Sequence, residues 1–125
     1  MHRISGLNIL LVEDEAYIAL DVKELLHQTE CKVVGPFGDV SSALSAINEG
    51  RIDCAILDIN LGKEHTLFLA DTLAERGVPF IWMSGYEAMI LPDRHRGRPF
   101  IAKPFAAEDL YDALAEAVNR KPATR

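Results

Sequence analysis

The chain is short of the residues that mark several common chemistries. It has only two cysteines, Cys31 and Cys54. They form no CxxC pair and no metal-ligand spacing, which leaves buried thiols at the edges of strand-like segments. The four histidines, His2, His27, His65 and His95, lack the mutual spacing of a metal or phosphohistidine site, so surface positions are expected for all four. No run approaches the roughly 20 apolar residues of a membrane-spanning helix, and Met1 to Gly6 lacks the apolar core of a secretory signal. A cytoplasmic location without membrane association is therefore the expectation. Positive charge is also scarce: the formal net charge of −6 argues against direct nucleic-acid binding, which wants a basic footprint. No glycine-rich turn follows the first strand-like run, where Glu13-Asp14-Glu15 would repel phosphate, so a nucleotide- or flavin-binding module is disfavoured. Repeats and low-complexity tracts are missing as well.

What is present fits one domain. With 125 residues, 49% apolar and 26% charged, the chain can bury roughly two thirds of its unfolded surface without staples. We read residues 1–125 as a single domain, with a core from about 7 to 120 and tail-like pieces at 1–6 and 121–125. Four short apolar runs each end in a reactive or charged residue. Leu7 to Val12 runs into Glu13-Asp14, Cys54 to Leu57 into Asp58, Phe80 to Met83 into Ser84, and Phe100 to Ala102 into Lys103. Lys32 to Pro36 reads as a further strand.

Between these runs lie amphipathic stretches. Ile18, Val22, Leu25 and Leu26 repeat at helical spacing from about Glu15 to Gln28. A second helix spans Asp39 to Glu49, with Asp39 or Ser41 as N-cap and Gly50 as terminator. A third, after a Gly62 turn, carries Leu67, Leu69, Ala70 and Leu73 and closes at Gly77 and Pro79. Pro92, Gly97 and Pro99 then leave only Glu87 to Leu91 for a short or irregular fourth helix. Leu110, Leu114 and Val118 mark a final helix to about Arg120. Strands alternating with helices predict an α/β fold, a doubly wound five-stranded parallel sheet of flavodoxin-like type with helices on both faces. Ligands in such sheets bind at the carboxyl ends of strands, so Glu13, Asp14, Asp58, Ser84 and Lys103 are expected to face one crevice.

Three carboxylates within a few ångströms repel one another, each pair by about 4 kcal/mol at 4 Å and an effective dielectric near 20. Lys103 offsets one charge, and a divalent cation would neutralise the remainder. Carboxylate oxygens without clustered histidine or thiolate are hard ligands, which favours Mg²⁺ over Zn²⁺. Magnesium that shares a phosphoryl oxygen is a handle for phosphoryl transfer, and a carboxylate can attack phosphorus to give an acyl phosphate. Asp58, alone at its strand end, is the candidate acceptor. Lys103 would pair with charge building on the phosphoryl oxygens, and Ser84 offers a hydroxyl donor.

At these positions the chain resembles the receiver domains of two-component response regulators. Glu13-Asp14 after the first strand, Asp58 after the third, Ser84 after the fourth and Lys103-Pro104 after the fifth follow that family's functional pattern in order. The resemblance implies a phospho-acceptor that takes phosphoryl onto Asp58 from a histidine kinase or a histidine phosphotransfer protein. It also implies Mg²⁺ held by Asp14, Asp58, the Asn60 backbone carbonyl and, through water, Glu13, and a Lys103-Pro104 bond that is cis, as is usual in the family. The family's switch aromatic, three residues before the lysine, is here Phe100. In the usual account, Ser84 moves toward the phosphoryl group while the aromatic turns inward. Phenylalanine can follow that motion but offers a partner no hydroxyl. Pro79 to Tyr86 also resembles the Pro-Phe-x-Phe-Ala-Thr-Gly-Tyr run of single-domain receivers from alphaproteobacterial stress and kinase networks, departing from it at Trp82, Met83 and Ser84.

Other residues carry open alternatives. Tyr86 either borders the crevice and affects access of water to the phosphoryl group or packs within its loop. Phe100 is otherwise a core aromatic. Arg94, His95, Arg96 and Arg98 read first as a solvated loop, with partner recognition second. No effector domain follows Arg120, so output is expected through contact with a downstream protein, and the chain is expected to be a signalling module and not an enzyme. Receivers often dimerise through the face of the fourth helix, fifth strand and fifth helix, so a homodimer stays open. The competing reading is a phosphohydrolase of the haloacid dehalogenase type, which also combines an aspartate nucleophile, magnesium, a hydroxyl and a lysine. That family places its nucleophile after the first core strand with a second aspartate two positions on. Here the nucleophile follows the third strand, and position 60 is asparagine.

Overall fold

The computed structural model describes residues 3–61, 64–85 and 91–119. In chain order the elements are β1 (Asn8–Val12), α1 (Ala16–Gln28), β2 (Lys32–Phe37), α2 (Val40–Glu49), β3 (Cys54–Asp58), β4 (Asn60–Leu61), β5 (Glu64–His65), α3 (Leu67–Glu75), β6 (Phe80–Ser84), α4 (Asp93–Arg96), β7 (Phe100–Ala102) and α5 (Ala107–Asn119). Five strands form one sheet in the order β2-β1-β3-β6-β7, every neighbouring pair parallel. The predicted doubly wound architecture is the observed one. The strand order reverses at β1 and β3, and the ends of these two strands flank the crevice where such sheets take their ligands.

Side-chain alternation divides the core into two layers. Ile9 and Leu11 of β1, Cys54 and Ile56 of β3, and Ile81 and Met83 of β6 pack with Val22, Leu26, Leu110 and Leu114 from α1 and α5. Leu10, Val12, Ala55, Leu57, Phe80 and Trp82 face Ala43, Ile47, Leu69, Ala70 and Leu73 from α2 and α3. The central strands are buried on both faces, which is why they read as unbroken apolar runs. Burial of each large aliphatic side chain contributes about 1.5–3 kcal/mol, so both layers hold the strands in register. Asp39 caps α2 by accepting a 2.8 Å hydrogen bond from the Ser42 N–H. The Tyr111 hydroxyl on α5 donates to the Leu25 carbonyl of α1 at 2.9 Å, fastening the two helices of one layer.

Between β6 and β7 the described residues carry a helical turn at Asp93–Arg96 that the sequence reading did not anticipate. The short fourth helix expected over Glu87 to Leu91 lies, except for Leu91, outside the described residues. Pro92 and Gly97 frame this turn. A proline at the N-cap position loses no needed N–H, and its carbonyl accepts the His95 N–H at 3.0 Å. Of the basic residues here, Arg94 and Arg96 are exposed as expected but ion-paired, and His95 is not solvated. Arg94 makes a two-pronged ion pair with Asp71 of α3, at 2.9 and 3.0 Å. His95 is buried, against the expectation of a surface histidine, with Nε2 2.7 Å from the same carboxylate. Arg98 stacks over the Phe80 ring at 4.2 Å. The Trp82 indole N–H donates to the His95 carbonyl at 3.1 Å, and Phe80, Trp82 and His95 meet edge to face.

Arg94 and then His95 hold the Asp71 carboxyl down at about 2. The Arg94–Asp71 pair is exposed, so the clamp adds little to overall stability. Its main effect is local, on the position of α4 over Trp82, the single tryptophan of the chain. Asp71→Ala is expected to shift Trp82 emission to longer wavelength while the protein stays folded. Emission unchanged from wild type would show that the clamp does not fix α4.

Candidate functional site

Alternation along the strands also selects which functional side chains meet. Glu13 continues the parity of Ile9 and Leu11, Asp58 that of Cys54 and Ile56, and Lys103 that of Ile101, all members of one layer. The Lys103 ammonium lies 2.9 Å from Glu13 Oε1 and donates to Asp58 Oδ2 at 3.1 Å. Backbone bonds set these positions. The Glu13 N–H donates to the Phe37 carbonyl at 2.9 Å, and the Lys103 N–H donates to the Ser84 carbonyl at 2.8 Å, extending the ladder beyond β1 and β7. The Lys103-Pro104 peptide is cis, as the family resemblance implies, and Gly35-Pro36 is a second cis bond that the sequence reading did not anticipate.

Asp14 completes the acidic cluster. One carboxylate oxygen from each of Glu13, Asp14 and Asp58 lies within 4.8 Å of the others, with Asp14 exposed and the other two buried. Ser84 is buried at the end of β6, one residue beyond Met83, which pairs in register with Asp58. The five predicted residues thus converge at one edge of the sheet. Asn60 opens β4, two residues after Asp58, paired with His65 of β5. Phe100 is 37% exposed at the outer face of β7 and lines a shallow groove with Ala102, Asp109, Asp112 and Glu116. It is not the core aromatic of the plainer reading, because the odd-numbered Ile101 takes the buried position of this three-residue strand. Tyr86 lies outside the described residues.

Two participants were not legible as such in the sequence. Glu15 reaches back across the crevice and accepts a 3.1 Å hydrogen bond from the Lys103 ammonium, while its N–H donates to Glu13 Oε2 at 2.9 Å. The third acid of the Glu13-Asp14-Glu15 run was its only signal. Thr66 is the other: its hydroxyl is fully buried and donates to the Asp58 carbonyl at 2.7 Å, with the Ile59 carbonyl at 3.2 Å.

Three carboxylates, from Glu13, Glu15 and Asp58, therefore surround one ammonium, with Asp14 beside Glu13 and Asp58. Burial first, and the Glu13 charge second, push the Asp58 carboxyl up to about 7 despite its bond to Lys103. Burial on its own would lower the Lys103 ammonium, but hydrogen bonds and charge from Glu13 and Asp58 outweigh it and hold the group above its ordinary range. Glu13 Oε1 is buried in an ion pair with the ammonium, 2.9 Å away, and has no other partner among the described residues. A buried carboxylate oxygen in that state, in a cluster of hard oxygen donors, fits a divalent cation such as Mg²⁺ better than any histidine- or thiolate-bound metal.

Comparison with known proteins decides the family. Residues 9–115 match the response regulator receiver domain. The chain belongs to that family and is a phospho-acceptor signalling module. SdrG from Sphingomonas melonis Fr1 is 36% identical, with a TM-score of 0.81, over 94% of this chain and 99% of SdrG. The transcriptional regulatory protein PdtaR of Mycobacterium tuberculosis is 28% identical over 116 residues, 90% of this chain and 57% of PdtaR. The chain thus spans little more than half of that curated relative. The receiver domain of the sensor histidine kinase PA1611 from Pseudomonas aeruginosa shares the fold, with a TM-score of 0.77 and 22% identity over 93% of this chain and 100% of that domain. Its structure holds a magnesium ion in the active-site cleft. No described helix of the present chain is long and apolar enough to cross a membrane.

A folded-state Asp58 carboxyl near 7 against 3.8 unfolded holds its proton more tightly when folded, so metal-free stability falls as pH rises between those values. In EDTA, Asp58→Asn is expected to raise the melting temperature at pH 8 by on the order of a few degrees, with the gain shrinking as pH falls toward 4. A gain that is absent at pH 8, or that grows on acidification, would show that Asp58 is not held in a repulsive site.

Proposed function

We propose that Asp58 is the phosphoacceptor of this receiver, taking its phosphoryl group from the phosphohistidine of a histidine kinase or of a histidine phosphotransfer protein. The supporting observation is the placement of Asp58, buried at the end of β3 and hydrogen-bonded to Lys103, with Glu13 and Asp14 beside it. An Asp58 oxygen attacks phosphorus, the phosphorus–nitrogen bond of the donor breaks, and the electron pair stays on the imidazole nitrogen. Glu13, Asp14, Asp58 and the Asn60 backbone carbonyl are the groups that would hold Mg²⁺. The ion would supply neutralisation of charge on the phosphoryl oxygens and favour the ionised Asp58.

Lys103 keeps an ammonium at 3.1 Å from Asp58 Oδ2, where it can follow negative charge onto the transferred group. Ser84 places a hydroxyl at the neighbouring strand end. Engagement of Ser84 with the phosphoryl group would reset the β6–β7 segment, and Phe100, now facing outward, is the side chain proposed to turn with it. Moving such an equilibrium from 1:99 to 99:1 takes about 5.5 kcal/mol of differential stabilisation, a magnitude that a phosphoryl group bonded to both Lys103 and Ser84 can reach. In this reading the protein works in the cytoplasm as a switch and not as a turnover enzyme. Its output passes through contact with a downstream protein, and its acidic surface disfavours direct nucleic-acid binding.

Incubation with acetyl phosphate and Mg²⁺ followed by intact-mass measurement tests this. Wild type should gain one phosphoryl group, Asp58→Ala none, and Lys103→Ala should label roughly 10²-fold more slowly. Labelling that survives Asp58→Ala would remove Asp58 as acceptor. Sustained hydrolysis of p-nitrophenyl phosphate would favour the phosphohydrolase reading instead.

A further inference from the structure

Thr66 stands at the N-cap position of α3, where threonine ordinarily accepts a hydrogen bond from the first turn of its helix. Its side chain makes no such bond. The hydroxyl points back across the β4–β5 hairpin and donates to the Asp58 carbonyl at 2.7 Å, with the Ile59 carbonyl at 3.2 Å. The Thr66 N–H donates to that same Ile59 carbonyl at 3.3 Å. Through its own carbonyl, which accepts the Ala70 N–H at 3.0 Å, Thr66 is built into α3, and Leu69, Ala70 and Leu73 of that helix are packed into the core. The residue is fully buried, so water does not compete for its hydroxyl. Asp58 is the last residue of β3, at the point where the chain leaves the sheet. The tilt of its peptide unit there decides where the carboxylate points relative to Lys103 and Ser84.

We propose that Thr66 is a positioning residue for phosphoryl transfer, whose hydroxyl locks the Asp58 peptide to α3 and so holds the acceptor carboxylate in line. It rests on the reading of Asp58 as phosphoacceptor and adds a residue that touches neither phosphoryl group nor metal ligand side chain. A carboxylate that swings about its backbone spends less time aligned for attack, while donor binding, set by other groups, is unaffected. The signature is therefore a loss in the rate constant at saturating donor without a change in the half-saturating donor concentration.

Wild type, Thr66→Ser and Thr66→Val are compared with acetyl phosphate at saturating Mg²⁺, well below the melting temperature of each. Thr66→Val keeps the shape and removes the donor, and is expected to label at least 10-fold more slowly with the donor half-saturation unchanged. Thr66→Ser restores the hydroxyl and should label within about 2-fold of wild type. A folded Thr66→Val that labels at the wild-type rate overturns the inference. So does a folded Thr66→Ser that is slowed 10-fold or more, which keeps the test decisive even where Thr66→Val does not fold. If wild type itself fails to label at Asp58, the acceptor reading falls and this inference with it; if wild type labels and Thr66→Val labels equally fast, only the inference falls.

Discussion

Repulsion among Glu13, Asp14, Glu15 and Asp58, only partly offset by the Lys103 ammonium, is the constraint around which the crevice is arranged. Each acid arrives there because a strand or the turn after it ends at the same edge of the sheet, and the strands are held in register by two apolar layers. The crowding costs stability in the free protein. It also leaves the site poised to gain from anything that brings positive charge or withdraws electron density from Asp58. A divalent cation would do so, offsetting both the crowded carboxylates and the further negative charge that a phosphoryl group on Asp58 would add.

The rest of the molecule supports this arrangement from outside. The Glu15 N–H fixes the Glu13 carboxylate from the start of α1. Thr66 fixes the Asp58 peptide from the start of α3. Across β6, Trp82 connects the strand that ends in Ser84 to the α4 turn, which Asp71 in turn ties to α3. A change at Ser84 therefore has a mechanical neighbour. That turn is held by exposed ion pairs and by a buried histidine whose Nδ1 makes no hydrogen bond.

Much of this was legible in the sequence because period-two alternation carries both fold and site. Apolar runs ending in Glu13, Asp58, Ser84 and Lys103 announced parallel strands, and the parity of positions 9, 11 and 13, of 54, 56 and 58, and of 101 and 103 put the meeting side chains on one face. Local pattern failed where long-range contacts decide. His95 and Arg94 read as loop residues because nothing nearby in the chain reveals that Asp71, more than 20 residues earlier, supplies their partner. The Asp93–Arg96 turn was not anticipated because prolines and a glycine were weighed as breakers, although a proline at the N-cap and a glycine at the C-cap are good helix ends. Phe100 was hard to place because a three-residue strand gives alternation too little length to distinguish inside from outside. Thr66 drew no notice in the sequence, and only the fold shows that its hydroxyl turns away from the helix it precedes and toward the Asp58 carbonyl.

The account stands or falls on the acidic site needing a cation. Titrating the unphosphorylated protein with MgCl₂ at pH 6, 7 and 8, followed by amide chemical shifts, tests this most directly. Saturable shifts at Glu13, Asp14 and Asp58, with affinity tightening as pH rises through about 7, are the predicted result. Shifts that are absent or unsaturable, or that are centred away from these three residues, would contradict it.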